Sequence, residues 1–186
     1  MKRFGALVFL LVLLAGCGSG NQDLDRVMAL RAKLLGSEGC SFQASITADY
    51  GDTLHSFSMD CLGDSRGNLQ FQVTAPESIS GITGQFQAGK GVLTFDDVAL
   101  EFPLLADGQV TPVSGPWIFW KTLLGGYLTS CGREGDCLRV CIDDSYADDA
   151  LQLDIWLDEK DVPLRAEICY DGRRILTMDI EEFDIS

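Results

Sequence analysis

The residues able to do chemistry in this 186-residue chain are few, and their spacing suits none of the common reactions. His55 is the only histidine, so a Ser-His-Asp triad must use it, and no serine stands in a Gly-x-Ser-x-Gly frame. A zinc site needs thiolates or several imidazoles at characteristic spacings, which one histidine and scattered cysteines do not provide. Asp143-Asp144-Ser145-Tyr146-Ala147-Asp148-Asp149 is the densest acidic run. It lacks the glycine and distal glutamate of a calcium loop, and reads as a hairpin loop with capping side chains. Gly89-Lys90-Gly91 lacks the phosphate-loop pattern and reads as a turn. Among 28 acidic residues no pair stands in a recognisable glycosidase frame. No catalytic residue, metal or cofactor is expected; the chain does not read as an enzyme.

The N-terminus carries a different kind of chemistry. Lys2 and Arg3 precede an apolar run from Phe4 to Ala15, and Leu14-Ala15-Gly16-Cys17 closes it. That order is a signal peptide, and the run is too short for a permanent membrane span. Leu-Ala-Gly-Cys resembles the lipobox of bacterial lipoproteins. The resemblance implies cleavage before Cys17 and a diacylglycerol on its thiol. Residues 1–16 are then the leader, 17–21 the lipidated cysteine and a Gly/Ser tether, and 22–186 one domain. The expected location is extracytoplasmic, lipid-anchored on the cell membrane, or on the outer membrane of a host with two. The net charge of −14 becomes more negative once Lys2 and Arg3 leave. So acidic a surface argues against nucleic acid and against anionic headgroups held by charge alone.

With Cys17 lipidated, six of the seven cysteines remain in a compartment that permits disulfides. From Cys40 the apolar period is two: Cys40, Phe42, Ala44 and Ile46 alternate with polar residues, and so do His55, Phe57, Met59 and Cys61. A hairpin turning at Tyr50-Gly51 sets Ile46 against His55, Ala44 against Phe57, Phe42 against Met59 and Cys40 against Cys61. That register makes His55 a packed residue and Cys40–Cys61 the favoured disulfide. Cys131 and Cys137 flank a Gly132–Asp136 turn and form a weaker candidate pair. Cys141 and Cys169 both face outward, separated by a strand at about 9–10 Å, too far to bridge.

These residues sit on a simple series of elements. Gln22 to Leu35 reads as a helix with a stripe of Leu24, Val27, Met28, Leu34 and Leu35. After the 40–61 hairpin come strands at 69–75, 82–87, 92–95 and 98–102. Pro116 opens a short, very apolar helix through Trp117-Ile118-Phe119-Trp120. Strands at 127–131, 137–143, 151–157, 164–170 and 173–183 complete the chain, the last two joined by an Asp171-Gly172 turn. There is no βαβ rhythm and no repeat. The expected fold is α+β, mainly β: a single curved antiparallel sheet forming an open half-barrel, with helices packed on its concave face.

What stands out is aromatic supply. Phe42, Phe57, Phe71, Phe86 and Phe95 lie on strands, and Trp117 and Trp120 in the central helix. They either fill the space between sheet and helix or line a groove for an apolar ligand.

Four stretches carry a resemblance: Val73–Gly84, Leu93–Asp97, Pro103–Gly108 through Trp117, and Asp143–Leu151. With the lipobox, the leading helix and the long meander they resemble the LolA-like superfamily. Within it they are closest to the LolA-like lipoproteins of spore-forming bacteria, the germination-type GerS group. The resemblance implies a half-barrel whose helices cover an apolar groove. Its expected partners are the membrane through Cys17, a lipid or other apolar ligand, or an envelope protein; a homodimer is compatible. An anchored chain is a poor shuttle, which favours receiving, sensing or scaffolding over carriage.

Overall fold

The computed structural model describes the chain from 19 to 186, apart from residues 88–89, 96–97, 103–104 and 107–108, with the backbone alone at 19–21, 105–106 and 109. Cys17 lies outside the described residues. In chain order the elements are α1 (Ser19–Gly36), β1 (Gly39–Asp49), β2 (Leu54–Asp64), β3 (Leu69–Ala75), β4 (Thr83–Gln87), β5 (Lys90–Phe95), β6 (Val98–Phe102), β7 (Leu105–Ala106), β8 (Gln109–Val110), α2 (Gly115–Gly125), β9 (Tyr127–Glu134), β10 (Cys137–Asp143), β11 (Gln152–Leu157), β12 (Pro163–Tyr170) and β13 (Arg173–Ile185).

Eleven strands form one antiparallel sheet in the order β6-β5-β4-β3-β2-β1-β13-β12-β11-β10-β9. Two meanders therefore meet where the first strand pairs with the last, with Ala44 opposite Ile180 and Ala48 opposite Leu176. The edges β6 and β9 do not pair with each other, so the sheet is an open half-barrel. Alternation sorts its two faces: Phe42, Ala44 and Ile46 point inward while Ser41, Gln43 and Ser45 point out.

Helix α2 lies against the inner face. Nine of its eleven residues are buried, as expected of a helix apolar all round, and Pro116 occupies its first turn. Where aromatic rings of α2 and of the sheet itself press on the strands, the strands carry glycine. A Cβ at Gly63 would stand 2.4 Å from the Trp120 ring, and one at Gly84 2.4 Å from Phe71.

Helix α1 begins at Ser19 and buries Val27, Leu30, Arg31 and Leu34. Leu24, Met28 and Leu35, expected on the buried stripe, are exposed. The Arg31 guanidinium reaches the Thr122 carbonyl in the last turn of α2 (3.4 Å), where a cation suits the helix dipole. The buried stripe is thus Val27, Leu30, Arg31 and Leu34, at three- to four-residue spacing.

The β1–β2 register differs from the expected one by two residues. Ile46 faces Phe57, Ala44 faces Met59, Phe42 faces Cys61 and Cys40 faces Gly63. The cause is the turn. Asp49 pairs with Leu54 across a four-residue loop, in which the Asp49 carboxylate accepts the Gly51 N–H (2.8 Å) and Tyr50 N–H donates to Thr53 (3.1 Å). A two-residue slip preserves which face each side chain occupies and changes only who is opposite.

Cys40 and Cys61 thus become diagonal neighbours, about 7–8 Å apart in such a sheet and beyond disulfide reach. Both are free thiols. Cys131 faces Val140 and points inward, whereas Cys137 faces Glu134 and points out across a turn at Gly135, so these two are on opposite faces and also free. Cys141 and Cys169 point outward on β10 and β12 with β11 between them, as the alternation requires. His55 pairs with Ala48 at the strand end and is exposed, not packed.

Candidate functional site

The seven aromatic groove candidates fall into three situations. Phe42, Phe57, Phe71, Phe86 and Trp120 are core, none more than 9 % exposed. Phe42 meets Phe119 edge-on (5.5 Å between centroids) and stacks on Trp120 (6.2 Å). Phe86 stacks on Trp117 (5.5 Å) and contacts Phe71 (5.8 Å). The indole N–H of Trp120 donates to the Asp64 carbonyl (2.9 Å) and that of Trp117 to Gly67 (3.0 Å), so both polar handles are satisfied. Over this part of the sheet the inner space is filled by the protein itself. Phe95 lies on the inward-facing row of β5 but beyond the cover of α2, and is 51 % exposed. Trp117, though buried, borders a large apolar-walled space.

That space is a cavity of about 610 Å³ at the other end of the half-barrel. Five separated segments build it. Trp117 and Ile118 face it from the first turns of α2, with Lys121 a turn later; Val110 of β8 adds an apolar wall. Asp49 and Tyr50 come from the β1–β2 turn, where the Tyr50 hydroxyl donates to the Val110 carbonyl (2.5 Å) and ties two walls together. Burial raises the Tyr50 phenol, which keeps it a donor.

Tyr170, Arg173 and Ile175 come from the β12–β13 hairpin. Asp171 and Gly172 both have positive φ there (49° and 69°), as a two-residue turn of the favoured hand requires. The acidic loop 144–151 supplies Asp144, Ser145, Asp149 and Leu151. It is fixed by Asp144, whose carboxylate accepts the Leu151 N–H (2.9 Å) while its own N–H donates to the Leu151 carbonyl (2.9 Å).

The walls are apolar and the mouth is charged. Lys121 Nζ lies over the Trp117 ring (5.1 Å) and only 3.9 Å from Asp144 Oδ2, a loose pair. Arg173 extends over the β1–β2 turn, a terminal guanidinium nitrogen 3.4 Å from where a Gly51 side chain would begin. Neither Arg173 nor Asp149 has a hydrogen bond or ion pair among the described residues. Such an arrangement holds the apolar body of a molecule and meets a polar end at its opening.

The thiols of Cys40, Cys61, Cys131, Cys141 and Cys169 are shifted away from the reactive thiolate form. Burial and the Asp184 carboxylate push the Cys40 thiol up to about 12, and burial with Asp60 pushes Cys61 higher still. Cys131, Cys141 and Cys169 are raised too, chiefly by burial, which leaves these thiols protonated at neutral pH. No group of three or more His, Cys, Asp or Glu that could hold a metal occurs among the described residues.

On the convex face, Trp156 lies between Arg139 and Arg165, each 5.4 Å from the ring. Arg139 is bonded to the buried Asp154 carboxylate (2.6 Å), and Arg165 and Arg174 share Glu167. This is a surface network of charged pairs in which, among the described residues, Arg139 Nε alone is buried without a partner.

No family model and no curated protein matches the chain. It is similar to several solved structures at low identity. A putative outer membrane lipoprotein-sorting protein domain from Vibrio parahaemolyticus superposes with a TM-score of 0.48 at 8 % identity, over 86 % of this chain and 91 % of that one. A LolA superfamily protein from Nitrosomonas europaea gives 0.46 at 11 %, over 86 % and 93 %. The lipoprotein LppX from Mycobacterium tuberculosis gives 0.42 at 12 %, over 87 % and 93 %.

Four cavity residues, Val110, Lys121, Tyr170 and Arg173, carry no signal of their own in the sequence. Lys121 lies within α2 and the others at strand ends, and they converge only through the topology. The acidic loop did stand out, but as a loop rather than as a cavity wall.

Proposed function

We propose that this chain is a LolA-like lipoprotein of the GerS-like group, anchored through Cys17 on the outer side of a membrane, that acts by binding rather than catalysis. It holds the acyl chain of a lipid, or another apolar molecule, in the cavity between α2 and the β12–β13 hairpin. The observation that carries this reading is the cavity itself: about 610 Å³, walled by Tyr50, Val110, Trp117, Ile118, Leu151 and Ile175. Sites for small organic molecules span about 300–1,000 Å³.

Native mass spectrometry of the full chain, with uptake of a fluorescent fatty-acid probe, tests it. Wild type should retain an apolar adduct and take up probe, and Ile118→Trp or Leu151→Trp, which fill the cavity, should do neither. Absence of adduct and uptake in wild type, or identical behaviour of the filled variants, contradicts it.

One observation favours a second reading, docking of an envelope protein. Phe95, Val98 and Leu100 form an exposed apolar row at the β5–β6 edge (51, 68 and 63 % exposed). Edge strands of this kind invite another chain. Cross-linking in intact membranes should then trap a protein with wild type and lose it with Val98→Asp/Leu100→Asp; equal trapping by both rejects this reading.

A further inference from the structure

The cavity has one feature that chain binding alone does not use: its mouth holds opposite charges that do not neutralise each other. Arg173 lines one side and Asp149 another, and neither pairs with anything among the described residues. Lys121 and Asp144 are only loosely associated at 3.9 Å. Unpaired opposite charges at the opening of an apolar cavity complement a ligand that carries both signs on one head. A fatty acid would meet Arg173 and Lys121 but set its carboxylate among Asp49, Asp144 and Asp149. A purely cationic head would have the converse conflict.

Capacity sets the other limit. The stacked rings of Phe42, Phe86, Trp117 and Trp120 close the rest of the inner face, so the cavity cannot extend along the sheet. A volume of about 610 Å³ suits one drug-sized body, not a bundle of chains.

Resting on the reading that the cavity takes an apolar chain, we propose that its ligand is a single-chain amphiphile with a zwitterionic phosphate-and-amine head, of the lysophospholipid class. Its phosphate meets Arg173 and Lys121. Its ammonium meets Asp149, and its chain runs inward past Trp117 and Ile118.

The test uses the full chain in its own membranes and four photoreactive probes with the diazirine on the same acyl chain. Their heads are phosphoethanolamine on one chain, phosphoethanolamine on two chains, a carboxylate, and an uncharged glycerol ester. Cross-linked peptides are mapped by mass spectrometry. The one-chain zwitterion should label the peptides holding 117–121 and 170–175 about tenfold more efficiently than the carboxylate and glycerol probes, the effect of one to two charge-assisted hydrogen bonds, and more efficiently than the two-chain probe, whose second chain the cavity does not accommodate. Arg173→Ala and Asp149→Ala, both at the exposed mouth, should each abolish most of that preference over the glycerol ester.

Equal labelling by the one-chain zwitterion, carboxylate and glycerol probes, or a preference that survives both substitutions, overturns the assignment of the head while the chain site stands. Equal labelling by the two-chain probe overturns the single-chain limit. No labelling of these peptides by any probe overturns the underlying reading of the cavity as well.

Discussion

The two ends of the half-barrel are built from the same materials and do opposite things with them. At one end, Trp120 presses its ring on Gly63, Phe71 lies over Gly84, and Phe42, Phe86 and Phe119 close what remains. At the other end Trp117, which also stacks on Phe86, and Ile118 line a cavity of about 610 Å³ together with loop and hairpin residues. The difference lies in what the strands place beneath the helix. Glycine beneath an aromatic lets ring and sheet close completely, whereas hairpin ends diverge and leave walls without a filler. Stability should therefore reside at the packed end and binding at the open one.

The sharpest way to break that division is to damage the packed end. Trp120→Ala removes a fully buried indole together with its bond to Asp64, and should cost about 3–5 kcal/mol in denaturant unfolding. Gly63→Ala adds a methyl where the Trp120 ring stands 2.4 Å away, and should cost about 1–3 kcal/mol by the same measurement. If either variant unfolds like wild type, the packed end is not where stability lies.

A third test concerns the convex face. Burial alone would raise the Asp154 carboxyl, but hydrogen bonds from Arg139 and Gln152 outweigh it and hold the group below its ordinary value. The folded state thus favours the ionised form. This contribution is complete above the unfolded value of about 3.9 and is lost as pH falls through the lower folded one. Arg139→Ala should cost about 1–3 kcal/mol at neutral pH and move the acid-unfolding midpoint, followed by circular dichroism, to higher pH. An unchanged midpoint would show that Asp154 does not depend on Arg139.

The smallest effect is expected at His55. It is exposed at a strand end, 6.3 Å from the Tyr50 ring, and His55→Ala should change thermal stability by no more than about 0.5 kcal/mol and leave probe uptake intact. A large loss of uptake would give the histidine a part in the mouth that its exposure does not suggest.

How far the molecule was legible from its sequence follows the same division. Period-two alternation located the strands of the main sheet, because most have one buried face and the pattern is the direct imprint of that burial, which the edge strands β6 and β9 lack. Pro116 and the apolar run marked α2, and Asp171-Gly172 marked its turn. Register was not legible: Tyr50-Gly51 looked like a two-residue turn, and the Asp49 carboxylate bonded to Gly51 makes it a four-residue one. The disulfide inferred from that register failed with it. The pairing of β1 with β13 leaves no local mark at all, since neither strand carries information about a partner more than a hundred residues away. The cavity was the least legible part. Aromatic residues that fill a core and those that line a groove have the same composition and period, so Trp120 and Trp117 read alike. What separates them is the glycine under one and the cavity beside the other.

Methyl-resolved NMR of isoleucine compares both ends in one experiment. On titration with a single-chain amphiphile, the δ1 methyls of Ile118 and Ile175, at the cavity, should shift and saturate together. Those of Ile46, Ile142 and Ile155, each no more than 1 % exposed in the packed interior, should stay in place. Shifts confined to the packed set, or no shift at Ile118 and Ile175 at any concentration, would contradict the assignment of binding to the open end.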